Sequence, residues 1–384
     1  MTAIETPRET SSATPITDGA PRPVQTPGRH LPCPLPTPRG PVSSFLVEHL
    51  TRAPHDLPLW PAPEDDPLTG EDTHLALYLV YELHYRGVEG VDERWEWHPD
   101  LIRLRGQLEQ RFEAGLVELV GDMPDVDDVT TFLQQLTTDD GSGEGRSISK
   151  FIEAEGDLHQ FREQAIHRTA WQLKEADPHS WAIPRLGGRP KAALVEIQAD
   201  EYGDGVDQDV HAELYALTME RLGLSARPNH YLDLLPGITL ATVNLVSMFG
   251  LHRRWLGAVI GHLAVFEMSS VTTMARFGTA LRRLEFDPWT CLFFDTHVVA
   301  DAHHQTVAAT DLAGGLVEQD PDRLGEVVFG ALALCRLEAK LTEHVLGSWD
   351  RGESSLLGSF EAPEQAPGQR MVHVPADDPR RHER

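Results

Sequence analysis

Apolar residues recur at steps of three and four along most of this chain, which is the spacing of one face of an α-helix. The clearest stripe, in residues 100–120, consists of Leu101, Leu104, Leu108, Phe112, Leu116 and Leu119. The same pattern predicts helices at 74–86, 100–120, 160–175, 191–201, 210–222, 240–249, 256–277, 289–312 and 323–349. Proline and glycine punctuate the gaps and alternating β patterns are scarce, so the sequence predicts an all-α protein.

The two ends of the chain lack this periodicity. Residues 1–70 are rich in Pro, Thr and Ser, and we expect a disordered or extended Pro-rich arm. Residues 349–384 are polar and carry further prolines, and we expect a tail. Between these ends lie an N-terminal helical region, 71–145, and a larger helical domain, 146–348.

The run FFDTHVVADAHHQ, residues 293–305, holds His297, Asp301 and His304 at steps of four and three. In a helix these three side chains lie on one face. The preceding residues, 289–294, are almost wholly apolar, so that face is expected to point into a core. Because a buried charge without a partner is costly, this pattern predicts a metal site.

Glu267 is the strongest candidate for a partner on another helix. About ten residues before it are nearly all apolar or small, so its carboxylate is expected to be buried. A buried carboxylate requires a cation or a raised pKa. The alternative is an ion pair with an arginine such as Arg254 or Arg276.

Two other segments offer ligands, and spacing alone does not choose among them. The candidates are Glu196, Asp200, Glu201 and His211 in one segment, and His167, Glu175 and His179 in the other. Each acid, taken alone, also fits a solvated helix surface. Glu196 and Asp200 share a helix face, and one of them is expected to orient a ligating histidine from behind.

Other histidines and aromatic residues fit structural roles better. His303 points about 100° away from His304 around the helix and is expected to be exposed or to lie behind the ligands. His262 is expected to be a core histidine with a hydrogen-bond partner. The aromatic side chains expected in the core are Trp171, Tyr202, Phe266 and Phe293.

Charge and cysteine content exclude several classes of function. With 33 Lys and Arg against 60 Asp and Glu, the net charge of −27 argues against binding nucleic acid or anionic membranes. No apolar run is long enough for a membrane span and no signal peptide is evident, so we expect a cytoplasmic protein. Cys33, Cys291 and Cys335 are too far apart for a zinc ribbon or an iron–sulfur motif.

Five segments together resemble the haem-oxygenase-like diiron oxidases and oxygenases over roughly residues 70–347. They are LVYELHYRG (79–87), LVEIQADEYGDG (194–205), DVHAEL (209–214), the helix around Glu267, and DTHVVADAHH (295–304). The similarity is closest to the N-oxygenase domain of enzymes that build N-nitrosourea and nitro groups. It implies a haem-oxygenase-like helical bundle with an N-terminal helical extension, in which 146–348 is the diiron domain and 71–145 mediates a homodimer.

The resemblance also implies a ligand set for two iron ions. Carried over position by position, the ligands are Glu175, Glu201, His211, Glu267, His297, Asp301 and His304. Their four carboxylates balance the charge of two Fe²⁺ ions, and three neutral imidazoles complete the set. His211 is the ligand that resembles the N-oxygenating members in particular.

The implied function is O₂-dependent oxidation of a nitrogen, an amine or guanidine of an amino-acid-like substrate, in natural-product biosynthesis. The chain has no flavin or nicotinamide fingerprint, so electrons are expected from an external donor. Nitrosourea-forming members carry a C-terminal cupin domain. Only 37 residues follow Gly347 here, so we expect the N-oxygenation step alone. The alternatives are a diiron oxidase acting on carbon, by desaturation or C–C cleavage, and a non-enzymatic helical protein.

Overall fold

The computed structural model of the chain describes residues 32–138 and 146–369. Within these residues there is no β-strand, only two isolated bridges, and the predicted all-α class is confirmed. The helices are α1 Pro41–Leu50, α2 Glu71–Glu82, α3 Pro99–Val120, α4 Val129–Thr138, α5 Ile148–Ala154, α6 Leu158–Gln172, α7 Asp177–Ser180, α8 Gly188–Glu201, α9 His211–Arg221, α10 Gly237–Leu251, α11 Leu256–Arg283, α12 Pro288–Thr306, α13 Gly315–Gln319 and α14 Leu324–Asp350.

Helix α11 is the centre of the bundle and packs along α12 and α14. Its close approach to α14 depends on glycine at the crossing. A Cβ atom on Gly261 would overlap the carbonyl oxygen of Val327, and one on Gly330 would overlap the backbone of Ala258. Because only glycine fits at these points, the two backbones touch and α11 is held in one position between its neighbours.

The same helix explains the one apolar segment in the described residues that is long enough to cross a membrane. Residues Arg253–Arg283 meet the length and composition, but 61% of the apolar window is buried inside the protein. This burial is typical of the core helix of a soluble protein. The cytoplasmic location stays a prediction.

Two helices end at other residues than the sequence predicts, and both ends lie near candidate ligands. The helix predicted at 160–175 ends at Gln172, and Glu175 lies in the following turn, where Ala176 has a left-handed φ of 72°. The helix predicted at 289–312 is α-helical only to Thr306 and continues as a π-helical segment, Val307–Gly314. Carbonyl groups of this wider segment accept hydrogen bonds from Thr130 and Arg189.

The expectation of a disordered or extended arm over 1–70 is wrong for residues 41–50, which form α1. The carboxylate of Asp72, on α2, accepts hydrogen bonds from the backbone N–H groups of Val42 and Ser43 and from the Ser43 hydroxyl. This cap comes from about 30 residues further along the chain, so it leaves no local signal in the arm. Residues 1–31 lie outside the described residues.

The expected polar tail is also partly ordered. After α14 the chain turns back, and the buried Ser355 hydroxyl donates to Glu163 at 2.7 Å and lies 2.9 Å from His167 Nε2. Leu356 and Ala366 are buried in the same core. Residues 351–369 are therefore part of the domain, while 370–384 lie outside the described residues.

The N-terminal helical region packs on the rest of the same chain. Helix α2 is buried against α10, and the leucine stripe of α3 faces the core beside α2 and α14. These amphipathic faces are therefore used within the chain, and they are not evidence for a second subunit. The homodimer stays a prediction.

Replacing Gly261 with alanine is expected to destabilise the protein by about 1–3 kcal/mol, because the added methyl group must separate α11 from α14. Gly325 is the matched control, since it is exposed near the start of α14 and a Cβ there meets no atom within 4 Å. We expect Gly325→Ala to stabilise the protein by up to about 1 kcal/mol. Urea unfolding of both variants tests this, and equal effects would contradict the proposed crossing.

Candidate metal centre

The structure brings the seven predicted ligands together in the interior of the bundle. They form two groups of four that share Glu201, and within each group one donor atom per residue lies within 4.8 Å of the others. We call them group 1, which consists of Glu175, Glu201, His211 and His297, and group 2, which consists of Glu201, Glu267, Asp301 and His304. All seven side chains are at most 9% exposed.

Helix α12 contributes His297, Asp301 and His304 from one face, as the spacing predicts, and this face packs against α11. Glu267 lies in the middle of α11. One turn further along α11, the Ser270 hydroxyl donates to Oδ2 of Asp301. This bond leaves Oδ1 of Asp301 directed at the group, 3.5 Å from His304 Nδ1.

Glu201 and His211 meet because the connection between α8 and α9, residues 202–210, turns back on itself. Glu201 is the last residue of α8, His211 is the first of α9, and Glu201 Oε2 lies 2.9 Å from His211 Nδ1. Gly203 has φ of 65°, and a Cβ atom there would lie 2.6 Å from the backbone of Asp209 and Val210. The turn therefore closes only with glycine at this position.

The two α12 histidines present different ring nitrogens. His297 Nδ1 donates to the carbonyl of Phe293 at 2.9 Å, so Nε2 is left to face the group, 3.5 Å from Glu175. His304 Nε2 lies 3.1 Å from Asp200, and its Nδ1 faces Glu267 at 3.4 Å. Such a partner on the far nitrogen is the usual arrangement for a metal-binding histidine.

Several polar atoms that face the centre make no hydrogen bond. Buried without a hydrogen bond are Glu201 Oε2, His211 Nδ1, His297 Nε2, Asp301 Oδ1 and His304 Nδ1. Glu201 Oε2 and His211 Nδ1 are 2.9 Å apart yet do not have hydrogen-bond geometry. This arrangement is typical of metal-ligating atoms that are directed at a common point. Each such atom costs about 1–3 kcal/mol when left unpaired. Four carboxylates with three imidazoles suit iron or manganese, so the residues fit the implied metal.

The pKa values show the same need for positive charge. Burial raises the pKa of Glu201 to about 7, and burial together with the nearby Asp301 carboxylate raises the pKa of Glu267 to about 8. Burial lowers the pKa of His211 to about 4, which keeps its imidazole neutral and able to coordinate. The carboxylates act on the other two imidazoles as well: against the effect of burial, they raise the pKa of His297 and raise that of His304 to about 12. Without a cation these two histidines would hold protons, and a metal that binds here would displace them.

The alternative partners named from the sequence lie elsewhere. Arg254 pairs with Glu113 at 2.7 Å, and Arg276 lies 3.8 Å from Glu153, so neither neutralises Glu267. His179 and His262 form a buried hydrogen bond of 3.1 Å with each other, which agrees with the structural role expected for His262.

Two residues that support ligands were not found from the sequence. One is Ser270. The other is Gln172, whose amide nitrogen, in the orientation that satisfies both ends of the amide, donates to the two oxygens of Glu175 at 2.6 and 3.0 Å. Ser270 lies three residues after Glu267 on α11, and this helical spacing is a signal that could have indicated it. Gln172 ends α6 and Glu175 lies beyond it, so helical spacing does not relate the two.

Because Glu201 belongs to both groups, Glu201→Gln should weaken metal binding in both, whereas Glu267→Gln should weaken it in group 2 alone. We expect Glu267→Gln to retain about one tightly bound ion per chain and Glu201→Gln to retain less, since removing one charge disturbs each ion that it serves. Anaerobic Fe²⁺ titration followed by metal analysis measures both. Equal stoichiometry in the two variants would contradict the sharing of Glu201.

Gly203→Ala is expected to lower the free energy of unfolding by about 2–4 kcal/mol, since the methyl group adds a backbone clash to the left-handed strain. The matched control, Gly205→Ala, has φ of 85° but no atom within 4 Å of its Cβ, so it should cost about 1–2 kcal/mol. Metal binding should fall in Gly203→Ala only, because Glu201 and His211 would no longer lie side by side. Urea unfolding and metal analysis test this, and matching results for both variants would refute it.

Comparison with known proteins agrees with this geometry. Residues 162–339, which contain all seven residues, match the profile of a family described as iron-containing redox enzyme. A nitrosourea synthase from Streptomyces achromogenes subsp. streptozoticus is 27% identical over 159 residues, or 41% of this chain. The match spans about a third of that relative, 34% of its length. The chain thus carries, over residues 162–339, a domain of the haem-oxygenase-like family of iron-containing redox enzymes.

Proposed function

We propose that this protein is a diiron N-oxygenase, which uses O₂ to oxidise a nitrogen, amine or guanidine, of an amino-acid-like substrate in natural-product biosynthesis. One observation carries the proposal: two groups of buried donors share Glu201 inside an iron-containing redox domain. A carboxylate common to both groups would help to hold two ions close together, because its negative charge would serve both.

The residues of the two groups have distinct tasks. Group 1 would hold one ion through Glu175, Glu201, His211 and His297. Group 2 would hold the other through Glu201, Glu267, Asp301 and His304. Iron bound there would supply O₂ activation and oxygen transfer. Group 1 has two imidazoles against one in group 2, so the two ions would have unequal ligand fields.

The surrounding side chains exclude water from the site. Phe293 is fully buried, and its ring centroid lies 4.3 Å from that of His297 and 4.9 Å from that of Tyr215. Phe266, which directly precedes Glu267 on α11, packs against Trp171 of α6, with ring centroids 5.0 Å apart. A dry site protects reactive species from hydrolysis and strengthens the electrostatic interactions within it.

Two facts support nitrogen rather than carbon as the atom oxidised. His211 supplies the additional imidazole that resembles the N-oxygenating members, and it is buried and directed at Glu201. The similar Streptomyces protein is, by its name, a synthase of a nitrosourea. The five buried atoms without hydrogen bonds argue for a bound metal, and the match to a family of iron-containing redox enzymes argues against a non-enzymatic helical protein.

The test is to load the protein with Fe²⁺ without oxygen, add an external reductant and ¹⁸O₂, and incubate it with lysine, arginine or related amines. We expect mass spectrometry to find ¹⁸O on a nitrogen of at least one substrate. His211→Ala should lose this activity, since a ligand is removed. If ¹⁸O is found on carbon only, the result favours the carbon oxidase. Less than about one bound iron per chain, with no optical change on O₂ exposure, would contradict the diiron proposal.

The matched control is His303→Ala. His303 follows the same helix and adjoins a proposed ligand, but it is exposed and pairs with Glu196 at 3.0 Å outside the two groups. We expect His303→Ala to keep both iron binding and activity. Loss of activity in both variants alike would show that the effect of His211→Ala is not specific to a ligand.

A further inference from the structure

The two histidines of α12 are held in position by different parts of the molecule. His297 is fixed within its own helix, by its bond to the Phe293 carbonyl four residues earlier. His304 reaches instead to another helix, where its Nε2 lies 3.1 Å from Oδ2 of Asp200 on α8. The orientation of His304 therefore depends on how α8 and α12 are joined, whereas that of His297 does not.

Asp200 is placed to act on His304 without acting as a ligand itself. It directly precedes Glu201 on α8, but its carboxylate lies on the far side of the His304 ring from Glu267 and Asp301. Its side chain is 36% exposed, whereas the imidazole that it contacts is 3% exposed. Asp200 thus connects the buried ring of His304 with the protein surface.

We infer that Asp200 is a positioning residue for group 2, which accepts the Nε2 proton of His304 and so directs Nδ1 of that ring toward the metal. This inference rests on the proposed metal-binding function. A carboxylate behind a ligating imidazole fixes both its tautomer and its ring orientation, and losing it typically costs about 10–100-fold in metal affinity.

The effect should be confined to group 2. The supports of group 1 do not involve Asp200: His297 is held by Phe293, Glu175 is held by Gln172, and His211 is placed by the start of α9. Glu201 is common to both groups, but it is placed by the backbone of α8, which includes residue 201 and does not depend on the side chain of Asp200. Removing Asp200 should therefore separate the affinities of the two groups.

The chain offers a close control on the same pair of helices. Glu196 lies one helical turn before Asp200 on α8, and it contacts His303, the neighbour of His304, at 3.0 Å. This pair has the same chemistry and joins the same elements, but both side chains are more than half exposed and neither belongs to group 1 or group 2. A merely structural link between α8 and α12 would be weakened by its loss as well.

The experiment is a stepwise anaerobic Fe²⁺ titration of the full chain, with chelator-driven release of the bound ions as a second readout. In Asp200→Ala we expect one ion to bind as in the unchanged protein and the other to bind about 10–100-fold more weakly and leave faster. Asp200→Asn should largely restore binding, since its amide oxygen still accepts from Nε2–H. Glu196→Ala should bind both ions normally.

Each outcome has a separate meaning. If Asp200→Ala binds two ions with unchanged affinity and release rates, or loses both equally, Asp200 does not position group 2 and the inference fails. If the unchanged protein itself does not bind two ions, the proposed function fails instead. Urea unfolding of each variant excludes loss of the fold, and Asp200→Asn keeps the test valid if Asp200→Ala does not fold.

Discussion

The burial of four carboxylates in a helical core is the constraint on which this structure depends. Glu175, Glu201, Glu267 and Asp301 lie together with three imidazoles where water does not compensate them. A core normally excludes such groups, because burying charge without a partner is strongly unfavourable. A fold that carries this cost in the absence of metal becomes more stable when cations bind, so metal binding and folding are linked.

The helix packing of the bundle holds these buried groups in position. The glycine crossing with α14 holds α11, and α11 in turn holds both Glu267 and the face of α12 that carries three of the donors. One turn after His304, from Val307, α12 widens into the π-helical segment, which packs against α8. Irregular helix of this kind is frequent at functional sites, and here it adjoins the helix that carries Asp200 and Glu201.

Segments outside the bundle contribute to stability rather than chemistry. The cap that Asp72 provides to α1 and the contacts of Ser355 with Glu163 and His167 attach the two ends of the described chain to the core. Both depend on buried hydrogen bonds between residues far apart in sequence. Composition alone suggested two unstructured ends, because polar and proline-rich segments are usually solvated.

The sequence by itself determined the helical class, most helix positions and the α12 stripe, because helical periodicity is local and an apolar flank indicates burial. It also named Glu267, since a carboxylate in an apolar run requires a partner. It left Glu196, Asp200 and Glu201 open, because spacing along one helix does not tell which face meets another. Only the tertiary structure placed Glu201 in both groups and Asp200 behind His304, since those positions follow from how α8, α11 and α12 pack.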